Sequence, residues 1–241
     1  MMVMAESRFW NVFKGKPIIG MIHLSGRNPV QRALDELDIY EEQGLDGAII
    51  ENYHGSVGDV SDALKEIGKR RYLLSIGVNI LPNEFDEAFK LAGEYKAEFI
   101  QLDHVAGSYT SGTLKYESYR KFREEFSDVA VLGGVWPKYY IPVKGSNLEK
   151  DLKDGTERAD AIVVTGKATG SETPLDKIMK FRETIGKHPL VVGAGTNPDN
   201  ISEQLRIADG VIVGSCFKAG GDTSLPVEKH LVERFMKEAR K

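Results

Sequence analysis

Eight short apolar runs divide this chain into lengths of similar size, and that rhythm constrains the fold more than any single residue does. The runs are "PIIGMIHL" from Pro17, "DGAIIEN" from Asp46, "YLLSIGVNIL" from Tyr72 and "EFIQLDH" from Glu98, then "VAVLGGVW" from Val129, "DAIVVTG" from Asp160, "PLVVGAG" from Pro189 and "DGVIVGS" from Asp209. Successive starts lie 20 to 31 residues apart, room for one strand, one crossover helix and two loops. The β-branched density of Ala161 to Val164 belongs to a strand covered on both faces, as in a parallel sheet. Amphipathic segments fill the intervals. Phe85, Ala88, Phe89 and Ala92 recur at helical spacing, and Asn197 followed by Pro198 predicts a capped helix start. Eight βα units in 241 residues predict an α/β fold, a single-domain (β/α)8 TIM barrel over residues 17–241. Residues 1–16, with Phe9, Trp10, Val12 and Phe13, are then a short N-terminal helical extension that caps the barrel bottom.

Composition narrows the function. With 32 basic and 36 acidic residues the net charge is −4, and Lys69-Arg70-Arg71 is too short a basic cluster for a nucleic-acid track. The single cysteine, Cys216, excludes an internal disulfide and reads as a buried, inert thiol in "VIVGSCF", which suits a reducing cytoplasm. Glu6, Arg8 and Lys14 interrupt the start of the chain, so no signal peptide is expected, and no run approaches the ~18 apolar residues of a membrane span. A cytoplasmic protein handling a small molecule is expected, with no nucleic acid, no membrane insertion, and homo-oligomerisation left open.

In a closed barrel, side chains alternate between the interior and an apolar helix layer, so polar residues of one parity mark the inside. Ser75, Gly77 and Asn79 share one parity against Leu74, Ile76 and Val78. The same alternation turns His23, Glu51, Gln101, Asp103 and Thr165 inward. All lie at the carboxyl ends of strands, the face where such barrels build active sites. Each has a packing role open to it: His23 as a satisfied core imidazole, Glu51 as a partner of Lys138, Asn79 as a loop brace. Together they favour a site, because burying so many polar groups without partners costs about 1 to 3 kcal/mol each.

The last two strands end in glycine. Gly193 and Gly195 in "VVGAGTNPDN", then Gly214 and Ser215 in "VIVGSCFKAGGD", let an anion approach the backbone and precede a short helical turn, with Lys218 placed to neutralise the charge. A substrate phosphate usually sits there in (β/α)8 enzymes. Tight turns alone would also explain these glycines. "GAGTNP" lacks a dinucleotide fingerprint, and no Walker-type GxxxxGK[ST] or G-x-S-x-G elbow occurs. In "DAIVVTGKATG" the buried strand delivers a small, hydroxyl-rich loop whose Thr165, Lys167 and Thr169 can clamp a sugar-like ligand.

"IGMIHL", "DGAIIEN", "IGVNIL", "VTGKATG", "VVGAGTNPDNI" and "ADGVIVGSCFKAGGD" together resemble the BtpA family, named for a photosystem I biogenesis protein and including SgcQ-like members. The resemblance runs from about Ile18 to the C-terminal helix and implies a ribulose-phosphate-binding-type barrel without fixing a reaction. It departs in three places. "SGRNP" after His23 is shorter than a "PPLPGSP"-like loop; Gly134 and Lys138-Tyr139 stand where an Asp and a Lys-His pair are usual; and "LDHVAGSYTSGTLK" replaces a "TDQG"-like acidic loop. Asp103 and His104 are therefore candidates to restore acid–base groups lost from the fifth strand.

The expected chemistry is proton transfer on a phosphorylated sugar, nucleoside or small polyol, as an isomerase, epimerase or lyase, with glycosidic-bond hydrolysis compatible with the same carboxylates. Glu51 and Asp103 are the candidate base and acid, His23 or Lys138 the oxyanion stabiliser, and Asn79 a positioning group. Asn52, Gln101 and His104 join Thr165, Lys167 and Thr169 as substrate contacts. No cofactor is implied; a divalent ion on His23, Glu51, Asp103 and His104 is a variant without the spacing of a known metal motif. The rival class is a non-enzymatic assembly or regulatory factor that keeps the pocket only as a ligand sensor.

Overall fold

The computed structural model describes residues 7–241. All eight predicted strands form, in their predicted places: β1 (Ile18–His23), β2 (Gly47–Glu51), β3 (Ser75–Asn79), β4 (Phe99–Leu102), β7 (Ala130–Gly134), β8 (Ala161–Val164), β9 (Leu190–Val192) and β10 (Gly210–Val213). Each pairs in parallel with its neighbours, and β1 closes the barrel onto β10. A small antiparallel hairpin, β5 (Ser108–Tyr109) with β6 (Gly112–Thr113), interrupts the fourth βα connection. Its two-residue strands carry too little periodicity for the sequence to announce them.

The outer layer is helical: α2 (Pro29–Glu42), α3 (Val57–Ile67), α4 (Phe85–Tyr95), α5 (Tyr116–Glu125), α6 (Leu148–Arg158), α7 (Leu175–Ile185), α8 (Ile201–Ile207) and α9 (Lys229–Ala239). In α4, Ala88, Phe89 and Ala92 of the predicted face are buried, with Leu91 beside them, while Phe85 is partly buried. The start of α8 differs from expectation. Asn197 to Asn200 make a turn in which Asn197 Oδ1 accepts from the Asp199 amide at 2.8 Å, so the helix begins only at Ile201. The helix expected after the last strand is two 3₁₀ turns, Ser215–Phe217 and Ala219–Gly221.

Two layers of core arise from the alternation. Ile19, Met21, Ile49, Phe99, Leu132 and Val163 fill the interior, while residues of the opposite parity on their strands, such as Ile18, Ile22, Ile50 and Ile100, pack against helices with Val78. The bottom is closed by α1 (Arg8–Val12), whose Phe9 joins Phe13 inside the barrel, the Phe13 and Phe99 rings lying 5.2 Å apart. Residues 1–6 of the predicted extension lie outside the described residues.

Three strand-opening aspartates lock the same rim. Asp46 accepts from the Ile18 amide at 2.8 Å, Asp160 from Val131 at 2.8 Å and Asp209 from Leu190 at 2.9 Å. Each carboxylate thus satisfies an amide at the start of a neighbouring strand, which gives the recurring Asp before a strand a structural reason. With that end filled and braced, polar residues accumulate at the other.

Candidate functional site

Barrel register brings the polar strand ends together. His23 pairs with Glu51 across β1 and β2, and Glu51 with Asn79 across β2 and β3, so three interior side chains stand at one level. Asn79 Nδ2 donates to Glu51 Oε1 at 2.7 Å, and His23 Nε2 lies 3.6 Å from Glu51 Oε2. All three residues are buried. Burial pushes the Glu51 carboxyl up to about 8, aided by the nearby Asp103 charge and opposed by Lys138 and the Asn79 bond. Burial also holds His23 well below the ordinary imidazole range, with Lys218 and Lys138 adding to the effect. At neutral pH the pair is a mostly protonated carboxylic acid beside a neutral imidazole.

Asp103 comes directly after β4 and faces the same cavity. Its Oδ2 accepts from the Tyr140 hydroxyl at 2.8 Å. Burial raises its carboxyl, while Tyr140 and Lys138 pull it back toward the ionised form. Burial raises both carboxyls, but only Asp103 has a phenol donor opposing the rise, and unlike surroundings of this kind divide acid from base in many sites. Tyr140→Phe is expected to raise the Asp103 pKa and to remove about 1.5 to 3 kcal/mol of charge-assisted hydrogen bonding wherever Asp103 is ionised. Carboxyl carbon NMR across a pH series checks this, and an unmoved Asp103 titration would contradict it.

The sixth barrel loop bridges the cavity mouth. Thr165 Oγ1 accepts from the Lys138 amide at 2.8 Å, and Lys138 Nζ donates to Thr169 Oγ1 at 3.1 Å. The Tyr139 hydroxyl accepts from the Thr169 amide at 2.9 Å. At its far end a Cβ on Gly170 would meet Ser215 Oγ at 3.1 Å. The loop therefore runs from the fifth barrel connection to the eighth, over a cavity of about 380 Å³ lined by His23, Glu51, Gln101, Asp103 and Lys138 among others.

Across that cavity stand Gly193, Gly195, Gly214 and Ser215. Protein packing already accounts for three of these glycines. A Cβ on Gly193 would crowd Val163, one on Gly214 would lie 2.9 Å from the His23 ring, and one on Gly195 would overlap the Ser171 backbone at a φ of +69°. A different feature leaves room for a ligand: among the described residues no hydrogen bond to a protein acceptor is made by the amides of Gly195, Thr196, Gly214 and Ser215, and all four residues line the cavity.

Five sequence candidates fall outside the cavity lining, Asn79 among them, standing behind Glu51 to which it donates. Lys218 is fully buried behind the eighth strand, where Nζ donates to the Leu225 carbonyl at 2.9 Å and lies 3.7 Å from Glu36, so it does not face the glycine loops. Asn52 braces the third connection, its Oδ1 accepting from the Leu81 amide at 2.8 Å. His104 has the opposite parity to Asp103 and packs its ring 4.8 Å from Tyr109 and 5.0 Å from Tyr140, where burial pushes its pKa down to about 4. Lys167 points to solvent from the sixth loop. The metal variant fails with them: among the described residues no group of three or more His, Cys, Asp or Glu is placed to hold an ion. Conversely, Tyr53, Tyr140 and Thr196 line the cavity with no signal in the sequence to mark them. Their loop positions carry no alternation that would orient them. Cys216 is partly buried, and burial raises its thiol pKa, consistent with an unreactive role.

A closed eight-stranded parallel barrel with its polar cavity at the carboxyl ends defines a TIM-barrel protein. The BtpA family model matches residues 14–241, and this chain belongs to the BtpA family. An uncharacterised protein of Pyrococcus horikoshii is 32% identical, covering 95% of this chain and 96% of its own. The photosystem I biogenesis protein BtpA of Synechocystis is 28% identical over 91% of this chain and 86% of its own. Among solved structures, N-(5'-phosphoribosyl)anthranilate isomerase from Pyrococcus furiosus superposes with a TM-score of 0.61 at 17% identity, covering 93% of this chain and 98% of its own. Tryptophan synthase from M. tuberculosis does so with a TM-score of 0.67 at 14% identity, covering 97% and 100%. These structural likenesses establish the fold. Among the described residues no helix is long and apolar enough to cross a membrane.

Proposed function

We propose that this protein is an enzyme that moves protons on a small phosphorylated sugar or nucleoside-like substrate, as an isomerase, epimerase, lyase or glycosidic-bond hydrolase. The observation that carries the reading is the pairing of two ends in one cavity: the buried carboxyls Glu51 and Asp103 on one side, unengaged backbone amides after β9 and β10 on the other. The fold's relatives among phosphoribosyl enzymes support the same anchor by analogy.

On this reading the two carboxyls take the roles opposite to those expected from sequence. Glu51, raised to about 8, holds a proton at neutral pH and serves as general acid. Asp103, raised by burial but with Tyr140 and Lys138 opposing that rise, serves as base. Lys138 is positioned by Thr165 and Thr169 to stabilise a developing oxyanion, while Asn79 orients Glu51. His23, neutral and tucked beside Glu51, supports the acid rather than carrying charge.

The test is a thermal-shift titration with matched phosphorylated and unphosphorylated sugars and nucleosides, with and without EDTA. Shifts confined to phosphorylated members are expected, weakened on the order of tenfold or more in affinity by Lys138→Gln, the loss of one charge-assisted contact. Equal shifts with and without phosphate would overturn the anchor. Gly195 is unsuitable as a probe, because any side chain there displaces the Ser171 backbone.

A second reading has one observation in its favour. Tyr139, Ile141 and Val143 are exposed beside the cavity mouth, and Tyr139 lines it. A ligand-sensing assembly factor of the kind suggested by the Synechocystis relative's name would present such a patch to a partner.

A further inference from the structure

Barrel order fixes which loops face each other. Going round from β1, the strands run β2, β3, β4, β7, β8, β9 and β10. In a ring of eight, β9 stands opposite β3 and β10 opposite β4. The unengaged amides of Gly195 and Ser215 therefore look across the full width of the mouth at the connections leaving β3 and β4. That far wall differs in character from the anion end. It is built by Leu81 and Pro82 after β3 and by Asp103 and Ser111 after β4, with Tyr53 after β2 on one side and Tyr140 after β7 on the other, so its apolar part is the stretch from Tyr53 to Pro82 together with the Tyr140 ring.

These residues are committed to the wall by their neighbours. The Asn52 side chain grips Leu81 by both its amide and carbonyl, at 2.8 and 3.4 Å, so that position is fixed by a dedicated side chain. Tyr53 stands edge-on to His23, their rings 5.1 Å apart, and Tyr140 is anchored through its hydroxyl to Asp103. The apolar faces are thus held in place by polar partners at their edges.

A bare sugar phosphate would bring only hydroxyl groups to this wall and would leave its apolar surface without a counterpart. We propose that the substrate carries a planar, largely apolar ring at the end remote from its phosphate, seated against Tyr53, Leu81 and Tyr140. The ligand class is a phosphorylated sugar bearing a nucleobase-like ring. This rests on the anion site proposed above, and it adds that the bond joining ring to sugar lies over Glu51 and Asp103, between the two ends. Aromatic side chains hold such rings by stacking with little regard to base identity. The wall presents few groups that would choose among bases, so the presence of a ring is recognised rather than its identity.

The experiment compares dissociation constants by calorimetry for ribose 5-phosphate, adenosine 5'-monophosphate, uridine 5'-monophosphate and the two unphosphorylated nucleosides. The nucleotides are expected to bind on the order of tenfold or more tighter than ribose 5-phosphate. In a Tyr53→Ala, Leu81→Ala double variant that still melts cooperatively, this gap should close while the ribose 5-phosphate constant stays unchanged. Equal binding of ribose 5-phosphate and the nucleotides by the unaltered protein overturns the ring subsite and leaves the anion site standing. Nucleosides binding as tightly as nucleotides overturn the anion site on which the proposal rests. No binding by any of the five overturns both.

Discussion

Glu51→Gln is expected to stabilise the protein above pH 8 while leaving it unchanged near pH 4. In the folded state the Glu51 carboxyl titrates at about 8, against an ordinary 4.5. A carboxyl raised by folding binds more protons in the native than in the unfolded state throughout that interval. Its contribution is therefore intact below pH 4.5, falls away as pH rises from 4.5 to 8, and levels off beyond. The interval from 4.5 to about 8 corresponds to on the order of 4 to 5 kcal/mol of stability lost by the natural protein on alkalisation. Gln keeps an oxygen to accept from Asn79 and has no proton to lose, so its curve should lack this decline. Guanidinium unfolding at pH 4, 6, 7.5 and 9 separates the two. Parallel stability curves for the two proteins would show that Glu51 is not held protonated, and the assignment of the acid would go with it.

The same residue illustrates what the sequence reveals. Glu51 shares parity with Gly47 and Ile49, and strict alternation against an apolar helix layer fixes which way a strand residue faces. That rule orients His23, Asn79, Gln101, Asp103 and Thr165, and all of them line or border the cavity. The rule also speaks about His104: one place beyond an inward Asp103, it must face outward, however attractive an unusual histidine is as a substrate contact. Loops carry no such rule. Lys218 beside the glycines of the eighth connection is compatible with an anion or with a buried carboxylate, and its partner Glu36 lies in a helix far away in sequence. Tyr140 is illegible for a similar reason, since the connection that turns its hydroxyl onto Asp103 has no period to read. The roles of the two carboxyls depend on desolvation and on neighbours from three other strands, which is a property of the assembled barrel alone.

The second large effect joins Gly134 and Asp103, which meet where two neighbouring strands end. Gly134 ends β7 directly against the backbone of Asp103, and the Val105 amide donates to the Gly134 carbonyl at 3.0 Å. A Cβ on Gly134 would overlap the Asp103 carbonyl oxygen and press on Pro137 at 3.4 Å. The fourth strand can thus bring its acid inward only because the fifth has no side chain there. Gly134→Ala is accordingly expected to cost about 3 kcal/mol or more, since a clash with backbone cannot be relieved by a rotamer change. Any fraction that folds should hold Asp103 away from Tyr140 and lose ligand affinity together with stability. Urea unfolding measures the first effect and calorimetry with a phosphorylated ligand the second. An alanine variant within about 0.5 kcal/mol of the natural protein, with ligand binding intact, would mean that the two strands are not so closely apposed and that the position of Asp103 owes nothing to Gly134.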